Sequence, residues 1–134
     1  MKINGVDARK LGIRMGDEFL NAIGAPAPMK EFIENNSRFE HGKRIKYDNP
    51  RLADREVTLT FTLLGNSESD FLKKLRAFEK ILYAGLVELY VEATGETYRL
   101  TYQRSQTYAQ NQSRTACNIA VQFNEPNPAD RQDN

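Results

Sequence analysis

The sequence predicts an α+β domain: a mostly antiparallel β-sandwich-like or split-barrel body with one flanking α-helix over about 67–84. Three patterns between Arg55 and Tyr102 carry that expectation. Val57, Leu59, Phe61 and Leu63 alternate with Glu56, Thr58, Thr60 and Thr62, the period of a half-buried strand. Phe71, Leu75, Phe78 and Leu82 then recur at helical spacing. Leu86–Ala93 and Thr97–Ser105 alternate again on either side of Thr94-Gly95-Glu96, as the two limbs of a hairpin do.

From the N-terminus, Asn4-Gly5 between Met1-Lys2-Ile3 and Val6 is a dipeptide favoured in two-residue type I′ hairpins. Asp7 suits the cap of a short turn through Ala8-Arg9-Lys10-Leu11, ended by Gly12. Ile13, Met15 and Phe19 read as one face of a second strand, interrupted at Gly16-Asp17. Gly24, Pro26 and Pro28 mark 21–29 as loop. Phe39–Tyr47 and Arg55–Leu64 are expected to form a long hairpin through Asp48-Asn49-Pro50-Arg51. Its first limb is polar, weakly patterned and broken by Gly42, so it suits a projecting arm better than a core strand.

Gly65-Asn66 ends the central strand, and Ser67 with Asp70 three residues later reads as an N-cap with a capping-box partner. Gly85 supplies the helix stop. After the hairpin, 106–112 reads as a polar loop, and Thr115, Cys117, Ile119, Val121 and Phe123 alternate as a further strand. Glu125-Pro126-Asn127-Pro128 ends it. The expected organisation is a single domain over 1–124 with a flexible C-terminal tail over 125–134. The core is expected where the stripe Phe71, Leu75, Phe78 and Leu82 meets Phe61, Leu89, Val91, Leu100, Ile119, Val121 and Phe123.

With 134 residues the chain is the size of one domain. Its 19 basic and 18 acidic residues leave a net charge of +1, which argues against holding nucleic acid as a main task. The excess is local: Arg38, Lys43, Arg44, Lys46, Arg51 and Arg55 stand against Glu40, Asp48 and Asp54. No apolar run approaches the roughly 18 residues of a membrane span, and Met1-Lys2-Ile3-Asn4-Gly5 lacks the apolar core of a signal peptide. A lone cysteine, Cys117, fits a reducing compartment. Synthesis and residence in a cytoplasm are the expectation.

The chemistry-bearing residues do not converge. His41 and Cys117 are the only residues of their types, too few for a zinc site, and no Gly-x-Gly-x-x-Gly or Walker A pattern is present. His41 lies in Phe39-Glu40-His41-Gly42-Lys43, which matches no nucleophile–base motif and reads as a turn or surface histidine. Cys117 sits at an inward alternation position and reads as an inert buried thiol. Glu88 and Glu92 share a strand face with Tyr90; paired carboxylates can hydrolyse glycosides, but no aromatic cleft flanks them. The expected catalytic, cofactor-binding and metal-ligating residues are therefore none, and an enzyme is not expected.

Two stretches keep a binding reading. Tyr98-Arg99-Leu100-Thr101-Tyr102-Gln103-Arg104 interleaves aromatics with cations, as strands that stack bases do. Leu100, however, shares a face with Tyr98 and Tyr102 and implies that this face is packed. The alternative function is thus a small nucleic-acid-binding module using the 38–55 arm and the 98–104 strand. The favoured use of the arm is protein contact. Phe39, Arg44, Ile45, Tyr47 and Arg51 are the candidate subunit-interface residues, since tyrosine and arginine are enriched at interfaces.

The order of these motifs resembles the N-terminal domain of distal tail proteins of long-tailed bacteriophages and prophages, and more loosely the tail-tube fold. The likeness runs from Ile3-Asn4-Gly5-Val6-Asp7-Ala8 and Leu11-Gly12-Ile13 through the loop Gly24–Lys30 and Glu40-His41-Gly42. It continues through Arg55–Phe61, the capped helix, Gly85–Leu89 and Thr97–Tyr102, covering most of 1–124. The resemblance implies a β-sandwich-like domain with a flanking helix, assembled as a hexameric ring between tail tube and baseplate or tip. Its partners would be further copies of itself and other tail proteins, with DNA only as passing cargo in the lumen. No cofactor is implied, and the virion tail is the implied final location. With an end at Asn134, no second carbohydrate-module-like domain is expected.

Overall fold

The computed structural model describes residues 1–30, 33–35, 44–46 and 51–133. In chain order its strands are β1 (Lys2–Ile3), β2 (Val6–Asp7), β3 (Ile13–Met15), β4 (Ile33–Asn35), β5 (Arg44–Lys46), β6 (Arg55–Leu64), β7 (Leu86–Val91), β8 (Glu96–Gln110), β9 (Ala116–Glu125) and β10 (Gln132–Asp133). Two helices, α1 (Phe19–Ile23) and α2 (Glu68–Tyr83), and a 3-10 turn over Ala8–Leu11 complete it.

Two long pairings build the sheet. β6 runs against β9 from Arg55↔Glu125 to Leu64↔Ala116, all antiparallel. β8 divides its length: Glu96–Thr101 pairs with β7, and Thr101–Gln110 pairs with β9 on the other side. Register shifts between Tyr102 and Arg104 and between Ser105 and Thr107 mark the bulged half. The full order is β2-β1-β7-β8-β9-β6-β3, with β10 added to β8 beside Glu96 and Thr97.

That order forces the sheet to curl. β2 and β3 stand at its opposite ends, yet only residues 8–12 separate them in sequence. Five residues reach at most about 18 Å, whereas seven flat strands would set the end strands about 29 Å apart. The edges must therefore approach each other, giving a half-barrel with α2 against its inner face. This is the α+β split-barrel class that the sequence predicts.

Local chemistry explains the elements. Asn4 and Gly5 take φ of 50° and 83°, the paired positive values of a type I′ turn. Asp7 accepts from the Arg9 backbone N–H, and Gly12 closes the 3-10 turn with φ of 72°. Ser67 Oγ accepts from the Asp70 N–H at the start of α2, while the Asp70 carboxylate accepts from Asn66 N–H, one residue outside the usual capping box. The helix stripe Phe71, Leu75, Phe78 and Leu82 is buried, as are all the other core residues expected from the sequence. Phe61 is the centre: its ring meets Phe19 at 5.3 Å, Phe78 at 5.3 Å and Phe123 at 6.3 Å, each edge-on.

Three expectations are corrected. Of the 39–47 segment, the described part, β5, pairs with β4 rather than with 55–64; β6 has β9 along its whole length on one side and β3 against Phe61–Leu63 on the other. Phe19 belongs not to a strand but to α1, where Phe19 and Ile23, four residues apart, both bury into the core. The 106–112 loop is mostly strand, since β8 continues to Gln110 before turning into β9. In addition, 125–133, expected to trail as a tail, carries β10, a buried Pro128 and a buried Glu125.

Candidate assembly interface

The candidate interface is the arm between α1 and β6, and its geometry starts at the root. Lys30 N–H donates to Arg51 C=O at 2.9 Å, Ala53 N–H donates to Pro28 C=O at 2.8 Å, and Met29 bridges Leu52. Beyond the root, β4 and β5 pair from Ile33↔Lys46 to Asn35↔Arg44. The described part of the arm is thus an antiparallel pair of its own, separate from the main sheet. Met29 and Leu52, cross-strand partners, are 48% and 41% exposed, an apolar pair left for contact at the root.

Of the expected interface residues, Arg44 and Ile45 fall in β5 and Arg51 falls at the root, where its side chain is exposed. Phe39 and Tyr47 lie outside the described residues, as does His41.

Arg55 fixes both feet of the arm. It is the first residue of β6, where the arm returns to the body, and it is 4% exposed. Its guanidinium donates through one terminal nitrogen to the carbonyls of Ile23 and Ala25, where the chain leaves for the arm. Its Nε lies 2.9 Å from Oε1 of the fully buried Glu125, a charge contact without hydrogen-bond alignment. Glu125 in turn receives a two-pronged clasp from Arg131, Nε to Oε2 at 2.9 Å and a terminal nitrogen to Oε1 at 2.8 Å. The Arg131 guanidinium stacks 4.8 Å over the Tyr98 ring and stands 3.9 Å from Glu96. Bonding to Glu125 pushes Arg131 further above its ordinary pKa, so it stays charged. Two arginines and two carboxylates make the cluster neutral, the condition under which buried charge is tolerated.

None of the expected interface residues belongs to this cluster, yet the sequence carries a signal for it. Arg55 has the parity of Val57, Leu59 and Phe61, and Glu125 that of Phe123 and Val121. Opposite charges at the inward ends of two core strands, paired in register as Arg55↔Glu125, mark a buried bridge.

The remaining candidates fall apart as sites. Tyr98 is buried beneath Arg131, and Tyr102 lies half-buried between Tyr83 at 5.8 Å and Phe123 at 6.4 Å. Neither ring is open for base stacking. Glu88 belongs to β7, while Glu92 lies past its end, 3.8 Å from the Met1 amino group. Cys117 is buried as expected, and burial pushes its thiol pKa up. A hollow of about 470 Å³ near the curled edges is lined by Met1, Arg9, Arg14, Glu92 and apolar neighbours, with no nucleophile beside a base. Among the described residues, no three His, Cys, Asp or Glu side chains gather as metal ligands, and no helix is long and apolar enough to cross a membrane.

Neither a protein-family model nor a curated protein matches the chain. Among solved structures, the chain is similar to the SPP1 Dit (gp 19.1) protein, described as a paradigm of the hub adsorption apparatus in phages infecting Gram-positive bacteria. The TM-score is 0.59 at 15% sequence identity, over 95% of this chain and 49% of that one. The chain therefore has the fold of a phage distal tail protein, as the order of its motifs led us to expect, over about half the length of that relative.

Proposed function

We propose that the chain is a structural subunit of a phage or prophage tail, a ring-forming distal component that joins the tail tube to the baseplate or tip. The observation that carries this reading is the fold shared with a hub protein across nearly the whole chain. Two features of the molecule support it. β4 and β5 pair with each other apart from the main sheet, and β8 beyond Thr101 has β9 on one side and no strand on the other among the described residues. Open edges and projecting hairpins are what neighbouring copies cover when subunits assemble.

In this reading residues 1–124 form one tail-tube-like domain, closed by the 125–133 segment, and the protein is not an enzyme. Six copies form the ring, other tail proteins stack on it, and DNA is passing cargo. Phe39, Arg44, Ile45, Tyr47 and Arg51 contact the neighbouring copy. The protein is made in the host cytoplasm and ends in the virion tail.

Light scattering and negative-stain microscopy of the purified chain test the reading. Rings whose mass rises with concentration to six subunits are expected. Replacing residues 31–50 with a short Gly-Ser linker, which leaves the root pairing in place, should abolish rings while the circular dichroism spectrum stays folded. A wild-type chain that remains monomeric at the highest attainable concentration would overturn ring formation. Tight DNA binding that weakens steeply with salt would favour the nucleic-acid module instead.

A further inference from the structure

We propose that the Arg55–Glu125–Arg131 cluster is a conformational coupler: the seating of the 126–133 segment on β8 sets how firmly the root of the arm is held. The coupling follows from shared acceptors. Arg131 occupies both oxygens of Glu125, so Arg55 meets that carboxylate only off-axis through Nε. Its other hydrogen bonds go to the Ile23 and Ala25 carbonyls, and its second terminal nitrogen, also buried, finds no acceptor among the described residues.

When the 126–133 segment lifts, Arg131 leaves with it. Glu125 is then a buried carboxylate with both oxygens vacated, within reach of an arginine that has a spare donor. A fork onto Glu125 needs Nε and the spare terminal nitrogen in line with its two oxygens, an alignment Nε lacks while Arg131 is seated. Turning the guanidinium to reach it carries the other terminal nitrogen away from the Ile23 and Ala25 carbonyls. The foot of the arm at 23–25 loses its tie to β6. Seating the segment reverses each step. Among the described residues, what holds the segment besides Arg131 includes two residues of β10 pairing, the buried Pro128, and an Arg99–Asp130 contact at 2.6 Å on the surface. The segment is therefore the part of the cluster poised to move.

Hydrogen exchange on the full-length chain tests the coupler, read at Lys30 and Ala53, whose N–H groups close the arm root. In Arg131→Gln these two amides should exchange about tenfold faster or more, while amides of α2 and the β6–β9 ladder keep their rates. Arg131→Lys, which keeps a charge but loses the fork, should give a smaller change with the same distribution. Arg99→Gln loosens the segment without touching Glu125 and should also speed Lys30 and Ala53. Faster exchange confined to 126–133, with Lys30 and Ala53 unchanged, would overturn the proposal. So would equal acceleration across the whole sheet, which would make the cluster a general stabiliser. None of these readouts depends on ring formation, so the coupler can fail while the tail-subunit reading stands, and the reverse.

Discussion

Phe61 is the residue on which three layers of the core converge, and its truncation is the sharpest test of how the body is packed. It is fully buried at the middle of β6, and its ring touches α1 through Phe19, α2 through Phe78 and β9 through Phe123. Phenylalanine-to-alanine changes in cores cost about 3–5 kcal/mol. Well-oriented aromatic pairs contribute about 0.5–1.5 kcal/mol each beyond their area. Three such pairs place Phe61→Ala at the upper end, about 4–5 kcal/mol. Domains of this kind are stable by about 5–15 kcal/mol, so the variant should remain folded but close to its limit. Urea titration, followed by circular dichroism, should show the midpoint falling by on the order of 2 M with an unchanged slope. Phe61→Leu keeps most of the volume and loses the ring contacts, and should cost about 1–2 kcal/mol. A loss below about 2 kcal/mol for the alanine variant would show that the three elements do not pack through this ring.

Three further outcomes are expected. Leu75→Ala removes a buried leucine from the helix stripe and should cost about 2–5 kcal/mol by the same titration; under about 1 kcal/mol would remove it from the core. Gly65→Ala would place a Cβ 2.5 Å from the backbone of Phe71, and no side-chain rotation relieves that clash. It should lower stability by about 1–3 kcal/mol, and a neutral result would mean that the β6–α2 junction adjusts freely. Asp70 tests pH dependence. The Asn66 N–H, and next the Lys74 ammonium, hold its carboxyl below the ordinary value of 3.8. Its contribution is therefore present above that value and lost as pH falls through the folded one, so wild type and Asp70→Asn should converge in stability below about pH 4. Curves that stay parallel down to pH 2 would remove Asp70 as the source.

The body of this fold was legible because its signals are local and periodic. The β6 alternation, the Ser67 cap, the α2 stripe and the Asn4-Gly5 turn each act within a few residues, and each stands where its pattern places it. The misreadings have a different physical origin. α1 spans only Phe19–Ile23, and its cap position, Glu18, makes no side-chain bond to the helix backbone, so neither length nor chemistry announces it. The partner of β5 is β4, whose three residues, Ile33-Glu34-Asn35, are too short for any periodicity to announce a strand. Residues 106–110, Gln106-Thr107-Tyr108-Ala109-Gln110, look like loop because they show no apolar alternation. In the structure they lie at a bulged outer edge, where Gln106 donates to Gln122 rather than entering the core. The arm attracted attention for its charge, yet Arg55, the arginine that holds it in place, has the parity of a core residue.

The pairing of β6 with β9 also sets the order in which the protein can come into being. Leu59 finds its partner in Val121, and Lys2 finds its own in Tyr90, so the sheet joins residues separated by much of the chain. The β7–β8 hairpin and α2 can form early from neighbouring residues, but β6 keeps one face of its ladder empty until β9 has been made. Loop closure over such distances makes folding slow relative to helical domains of similar size. On the ribosome, the exposed edge of β6 would wait through the synthesis of α2, β7 and β8. Its outer row, Glu56, Thr58, Thr60 and Thr62, keeps that face of the waiting strand polar and places one charge on it, before Asn118 arrives to hydrogen-bond Thr62.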